Sequence, residues 1–282
     1  MQSTALSIDR AYHPNPLPVQ RRPSIDQARL AFQNHLLQAL PPDVLERITP
    51  HLEPTELLRG TVLYEAGSQI KTTYFPINSI ISLFYIMANG NSAQTAMVGC
   101  EGMVGISPFM GCSTSPSSAV MQSTGLVIKV RSSILAHEFE HNPKTTQLLL
   151  RFTQSLFIQL AQTAACNRHH SIEDQLCRWL LMTLDRQTSN EILMTHELIA
   201  NLIGYRREGV SEAAGNLQRL GIFTYRRGHI TVLDRPALER HVCECYAVVK
   251  SQTDLLSPGR EIDTGQRRIV THSNVTAFRA II

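Results

Sequence analysis

The hydrophobic pattern of the chain changes period at Pro143, and no single layer of secondary structure satisfies both halves. From about Glu56 to Val130 the apolar, β-branched and aromatic residues come in short runs, TVLYEAG, TTYFPINSIISLFYIM, SAQTAMVG and GLVIKV. These read as strands, and Gly60, Gly67, Gly90, Gly99, Gly102, Gly105 and Gly125 sit at the turn positions between them. With no helical pattern interposed, an antiparallel sandwich or barrel is expected. After Pro143 the residues Leu149, Phe152, Leu156 and Leu160 recur at helical spacing, which predicts a helix from about Lys144 to Asn167. Its only basic residues before Arg168 are Lys144 and Arg151. A helix so poor in charge suits burial of a second side against another subunit, with packing on its own barrel as the alternative.

At 282 residues with 43% hydrophobic content the chain can bury two cores. A formal net charge of +3 is too small to attract a polyanion by its global field, so any such role rests on local clustering. The first residues lack the apolar core of a signal peptide, and the run from Ile80 to Ala88 is too short to span a bilayer. A cytoplasmic setting without membrane contact is expected. The six cysteines have neither the density nor the spacing of a disulfide scaffold and read as reduced thiols.

Residues 1–26, with Pro14, Pro16, Pro18 and Pro23, read as a mobile arm. A helix is expected from Gln27 to Leu40 with Asp26 as its N-cap, stopped by Pro41-Pro42 before a shorter helix around Val44 to Ile48. Further on, Ser171 followed by Glu173 and Asp174 is an N-cap signature, and the helix it opens carries Ile172, Leu176, Trp179, Leu180 and Thr183.

The stretch IANLIGYRREGVSEAAGNLQRLGIF then sets Ala200, Gly204 and Val210 at the spacing of a helix-turn-helix. Such a motif needs a small residue where two helices cross, a glycine for the left-handed turn and a branched residue returning to the shared core. Ile222, Thr224, Ile230 and Val232 alternate around Arg226-Arg227-Gly228-His229, which reads as a hairpin beside it. A recognition helix enters the major groove with its N-terminal end leading, so Arg206, Arg207, Glu208, Ser211 and Glu212 are the candidate base readers. Thr195, His196, Arg219, Arg226, Arg227 and His229 are candidates for the phosphate backbone. A solvated first turn explains Glu208, which complements the helix dipole, but not two adjacent arginines at the positive end.

With these residues on the page, the chain resembles the Crp/Fnr superfamily of bacterial transcription regulators over roughly residues 30 to 248. The resemblance rests on THELIANLIGYRREGVSEAAGNLQRLGIF with YRRGHITV, on EDQLCRWLLMTL before them, and on the glycine-punctuated β-rich half. It implies a cyclic-nucleotide-binding-type β-roll, a long dimer helix and a C-terminal winged helix-turn-helix, working as a homodimer on near-palindromic promoter DNA with RNA polymerase as a further partner. The family's base-reading Arg-Glu pair falls on Arg207-Glu208, while its next specificity arginine falls on Glu212, so the family's familiar operator is not implied.

The family's nucleotide pocket uses a glutamate on the ribose and an arginine on the cyclic phosphate. Their places in VGCEGMVGISPFMGCSTSPSSAV fall on Ile106 and on Ser117, beside Ser118. A buried phosphate without its arginine is an uncompensated charge, so cyclic AMP is not expected to bind in the usual way. The family's iron–sulfur sensors use several N-terminal cysteines, and none precedes Cys100. Cys243-Glu244-Cys245 has no partner pair at ligand spacing and reads as packing of a terminal helix rather than as a metal or redox site; His169-His170 makes no metal signature. No metal or cofactor is expected, and the effector is not identified.

The expected fold is thus α+β: an N-terminal antiparallel, jelly-roll-like β-roll (27–143), a dimerisation helix (144–168), a winged helix-turn-helix (169–250) and a tail (251–282). The expected activity is sequence-specific DNA binding in transcription regulation and not catalysis. The alternative is a ligand-binding or enzymatic β-barrel whose winged helix makes protein contacts.

Overall fold

The structure, a computed structural model, describes residues 27–88 and 92–256. The expected N-terminal arm and the tail beyond 256 lie outside the described residues. Three short helices, α1 (Gln27–Ala31), α2 (His35–Gln38) and α3 (Pro42–Ile48), precede seven strands: β1 (Glu53–Leu57), β2 (Val62–Tyr64), β3 (Thr72–Pro76), β4 (Ile81–Ile86), β5 (Ser92–Val98), β6 (Ser118–Met121) and β7 (Gly125–Arg131). They form two antiparallel sheets, ordered β1-β7-β3 and β2-β6-β4-β5. The core of this half holds Phe75, Ile81, Met103, Ala119, Met121, Val127 and Ile128, all nearly inaccessible.

The single helix expected over residues 27–40 is broken at Asn34. The Asn34 carboxamide oxygen caps α2 by accepting from the Leu36 and Leu37 amides, and its NH2 donates to the Pro76 and Gly102 carbonyls, each at 2.9 Å. A fully buried asparagine with four partners outweighs helix continuity. Two strands escaped the sequence reading: β1, built from EPTEL, has low β propensity, and β6 is four residues long.

A helix not foreseen, α4 (Ser132–His141), leads into α5 (Pro143–His169), whose N-cap is Asn142. The α5 face carrying Leu149, Phe152 and Leu156 joins the β-roll core. Gln159 then pairs with the edge strand β5: its Oε1 accepts from the Met97 amide at 2.7 Å and its Nε2 donates to the Met97 carbonyl at 3.1 Å. An amide side chain thereby fulfils the backbone groups of an edge strand that would otherwise invite another chain. The opposite face leaves Leu150 and Phe157 more than half exposed, at 52% and 63%.

The second half comprises α6 (Ile172–Leu184), β8 (Glu191–Leu193), α7 (His196–Ile203), α8 (Arg207–Arg219), β9 (Phe223–Arg226), β10 (His229–Val232), α9 (Arg235–His241) and α10 (Cys245–Asp254). The hairpin is three-stranded, β8-β10-β9, where two strands were expected. Ser171 closes a full capping box with Asp174 at the start of α6. Every residue from Gln175 to Leu184 is buried, because α6 lies under both the helix-turn-helix and the β-roll. Ile80, Phe84 and Met97 of the roll share one apolar cluster with Leu176, Trp179 and Leu180.

Polar contacts fix that junction. Trp179 Nε1 donates to Gln94 Oε1 at 3.0 Å, and Gln94 Nε2 donates to Ser82 Oγ at 2.6 Å and Gln122 Oε1 at 2.8 Å. Arg186 Nε meets Glu101 Oε1 at 2.7 Å with both side chains buried, and Glu101 Oε2 accepts from the Gly99 amide. Removing one partner of such a pair strands a charge, whereas apolar replacement of both does not. Glu101→Ala is therefore expected to lower unfolding free energy by about 3–5 kcal/mol in denaturant titrations, and Glu101→Leu combined with Arg186→Met to recover much of that loss.

Candidate nucleic-acid interface

The helix-turn-helix is α7 and α8, and its geometry follows from a few residues. Thr195 caps α7, its hydroxyl accepting from the Leu198 amide. Gly204 ends it at φ 78°, a left-handed conformation that costs glycine least, and its amide and that of Tyr205 both return to the Ala200 carbonyl. Ala200 (2% exposed) and Val210 (0%) meet in the core shared by the two helices, with Ile199, Ala213, Ala214 and Leu217 around them. The expected motif core thus comes together as the spacing implied.

Arg206 takes the extended N-cap position of α8 without a side-chain cap, and Arg207 and Glu208 occupy its first turn. All three are exposed, as is Glu212 one turn on. Ser211, Glu212, Gly215, Asn216 and Arg219 border one shallow, open depression on the outer face of α8, which is the i, i+4 geometry of a helix presenting one side. Arg219 donates to Asn216 Oδ1, and Asn216 Nδ2 donates to Glu173 Oε2 at 3.2 Å.

The wing is a two-residue hairpin. Arg226 pairs with His229, and the loop residues Arg227 (φ 51°) and Gly228 (φ 83°) both take positive φ, as a type I′ turn demands. Among the described residues Arg227 alone, apart from glycines, has positive φ. The turn lifts Arg226, Arg227 and His229 into solvent.

Three candidates are engaged inside the protein. His196 was expected to face phosphate; instead its ring stacks on Tyr225, centroids 3.9 Å apart, and its Nδ1 lies 3.1 Å from Ser211 Oγ. Ser211, a candidate base reader, thereby holds α8 against α7. Thr195 likewise spends its hydroxyl as a cap. The sequence reading missed Tyr225 because an aromatic in a hairpin announces no partner. It also missed Tyr205, whose hydroxyl accepts from Gln175 Nε2 at 2.8 Å and ties the turn to α6.

In the β-roll, Ile106 is half-buried at the start of a 3-10 turn. Ser117 Oγ lies 2.9 Å from Ser115 Oγ, and Ser118 Oγ accepts from the Ala66 amide at 3.0 Å. Burial pushes the neighbouring Tyr64 phenol up to about 12, so that group is neutral. None of these residues carries a charge for a phosphate.

Beside the helix-turn-helix, where Gln175 Nε2 reaches the Cys166 and His170 carbonyls as well as the Tyr205 hydroxyl, the sequence expectation is overtaken. Cys243 and Cys245 do pack at a terminal helix, but Cys166 and His170 converge on them, and all four ligand atoms lie within 4.8 Å of one another. The partners come from 77 residues away in the chain, where no local spacing shows them.

Residues 174–241 match the Crp-like helix-turn-helix domain. An anaerobic regulatory protein of Pasteurella multocida (strain Pm70) is 23% identical over 203 residues, 70% of this chain and 73% of its own length. The fumarate and nitrate reduction regulatory protein of Salmonella typhi is 23% identical over 203 residues, 70% of this chain and 80% of its own length. Among solved structures, FixK2 from Bradyrhizobium japonicum shares the fold with a TM-score of 0.60 at 14% identity, covering 68% of this chain and 98% of its own. A transcriptional regulator of the Crp/Fnr family from Eubacterium rectale does so at 0.59 and 17% identity, covering 73% and 96%. Fold and motif together define a DNA-binding transcription regulator of the winged helix-turn-helix class. Within that class, residues 174–241 are a Crp-like helix-turn-helix domain, and the chain is similar over about 70% of its length to regulatory proteins of the Crp/Fnr kind. Among the described residues no helix is long and apolar enough to cross a membrane.

Burial first, and the Arg207 cation second, push the His196 pKa below the ordinary imidazole value. The folded state then favours neutral imidazole, and the unfolded chain takes up the proton first as pH falls below about 6.5. This contribution to stability is complete above that pH and is lost as pH drops through the lower, folded-state value. Thermal melts between about pH 7 and pH 5 should show a steeper loss of Tm for the unmodified protein than for His196→Phe, which keeps the stacking but cannot protonate.

Proposed function

We propose that the protein is a homodimeric, sequence-specific transcription regulator, active in the cytoplasm, that reads base edges with Arg206, Arg207, Glu208 and Glu212 and grips phosphates with Arg219, Arg226, Arg227 and His229. The observation that carries this reading is the exposed Arg-Arg-Glu at the leading end of α8, beside a wing whose turn presents two more arginines. Arginine suits the O6 and N7 acceptors of guanine and glutamate accepts from the cytosine amino group. An acid at Glu212 repels phosphate, so it contributes to choosing the base pair it faces and to excluding others. Thr195, His196 and Ser211 act by holding the two helices in register.

In mobility-shift assays on the protein's own upstream DNA and on selected sites, Arg207→Ala should lose about 1–3 kcal/mol of preference for the specific sequence. Arg227→Gly keeps the positive-φ turn while deleting its charge. It should weaken specific and non-specific DNA alike and reduce the slope of log K against log salt by about 1. Unaltered preference in Arg207→Ala would sink the base-reading assignment.

The dimer reading is supported by the exposed stripe of Leu150 and Phe157, seven residues apart on an α5 that bears no acidic side chain. A Leu150→Glu, Phe157→Glu double variant should sediment as a monomer and bind a two-half-site operator far more weakly than the unmodified protein.

We further propose that the β-roll does not take cyclic AMP in the family's manner, since Ile106, Ser117 and Ser118 offer no cation for the phosphate. Calorimetric titration should show no saturable heat; tight cyclic AMP binding would overturn this reading. RNA polymerase is the expected protein partner by family likeness.

A further inference from the structure

Helix α5 places Cys166 on its last turn, and His170, four residues later at the joint with α6, turns its ring to the same side. The short link between α9 and α10 brings in Cys243, and α10 opens with Cys245. Cys166 Sγ and Cys243 Sγ are 3.7 Å apart, and Cys245 Sγ is 3.4 Å from His170 Nδ1. Two sulfurs bound at about 2.3 Å to one tetrahedral zinc stand about 3.8 Å from each other, and a sulfur and an imidazole nitrogen about 3.6 Å. Two of the six edges of such a tetrahedron are therefore present in the side-chain positions, and the other four are no longer than 4.8 Å. The three cysteines are buried, at 0%, 9% and 1% exposure for Cys166, Cys243 and Cys245.

The surroundings suit a cation as well. His170 Nε2, the nitrogen facing away from the cysteines, lies 3.4 Å from Glu244 Oε1, the carboxylate partner that orients a metal-bound histidine. Gln162 Nε2 donates to Cys245 Sγ at 3.1 Å. The buried Arg178 guanidinium is coupled electrostatically to all three cysteines, so its positive charge balances the net negative charge of a divalent ion with three thiolates.

We propose that Cys166, His170, Cys243 and Cys245 form a tetrahedral structural zinc site that clamps the link before α10 to the joint between α5 and α6. Four protein ligands close the coordination sphere, which is the pattern of a structural rather than a catalytic zinc. Iron–sulfur clusters spread their thiolates over separate irons and need a wider cage than these four atoms provide. The site stands independently of the DNA-reading assignment, because its readout involves no DNA.

Full-length protein purified without chelator should carry about one zinc per chain by elemental analysis. After stripping, titration with Co(II) should give the d–d absorption of a tetrahedral site and a sulfur-to-cobalt charge-transfer band. Cys166→Ser and Cys245→Ser should each remove the share of one thiolate from that band. The exposed Glu244→Gln leaves the fold and the ligands intact, and should weaken metal affinity by about 10- to 100-fold, so the idea remains testable should a buried cysteine variant misfold. A folded chain that retains no zinc and gives no cobalt band would overturn the assignment. So would a band unchanged in both serine variants, or a Cys166–Cys243 disulfide in metal-free protein purified under reducing, anaerobic conditions.

Discussion

Every other relation in this molecule depends on the complete enclosure of α6. Its residues from Gln175 to Leu184 are all buried, so the helix has no face that belongs to solvent. Full burial of a Leu or Met side chain contributes about 1.5–3 kcal/mol, and α6 collects that from two directions at once. The helix-turn-helix packs on one side of it and strands β4 and β5 on the other, with Trp179 and Gln94 supplying a hydrogen bond that fixes the angle. Neither half can move without exposing apolar surface or breaking the Arg186–Glu101 pair.

That enclosure gives the two halves of the chain a stiff connection. A displacement in the roll reaches α6 through Met97, which touches α5 by way of Gln159 and shares the apolar cluster of Leu176 and Leu180. The same α5 ends against the C-terminal helices, where three sulfurs and a histidine meet. The long helix is therefore held near the roll by an amide and near its end by a soft-ligand cluster. The exposed Leu150 and Phe157 remain on its outward side.

The change at Pro143 was a sound guide because the short β-branched and aromatic runs before it form strands, while Leu149, Phe152 and Leu156 after it line one buried face of α5. The helix-turn-helix was legible from Ala200, Gly204 and Val210 alone, since a left-handed turn and a close crossing leave few residue types that fit. What escaped the sequence is what depends on tertiary partners. Asn34 breaks an otherwise helical run because two carbonyls 42 and 68 residues away await its NH2. His196 resembled a phosphate ligand until Tyr225 and Ser211 enclosed it. Cys166 with His170 and Cys243 with Cys245 are each an unremarkable pair in sequence, and their meaning lies in the contact between them.

The start of α8 joins two ordinarily unfavourable features: Arg206 provides no side-chain cap, and Arg206 and Arg207 bring positive charge to the positive end of the helix dipole. Both defects have the same remedy, an oxyanion seated over the first turn. A helix in this condition is incomplete as a free surface, and on the proposed reading its first turn is completed by DNA. Association with a phosphate backbone would thus do for the protein what a serine or aspartate cap does elsewhere, so that occupancy of DNA and the integrity of the recognition helix rise and fall together.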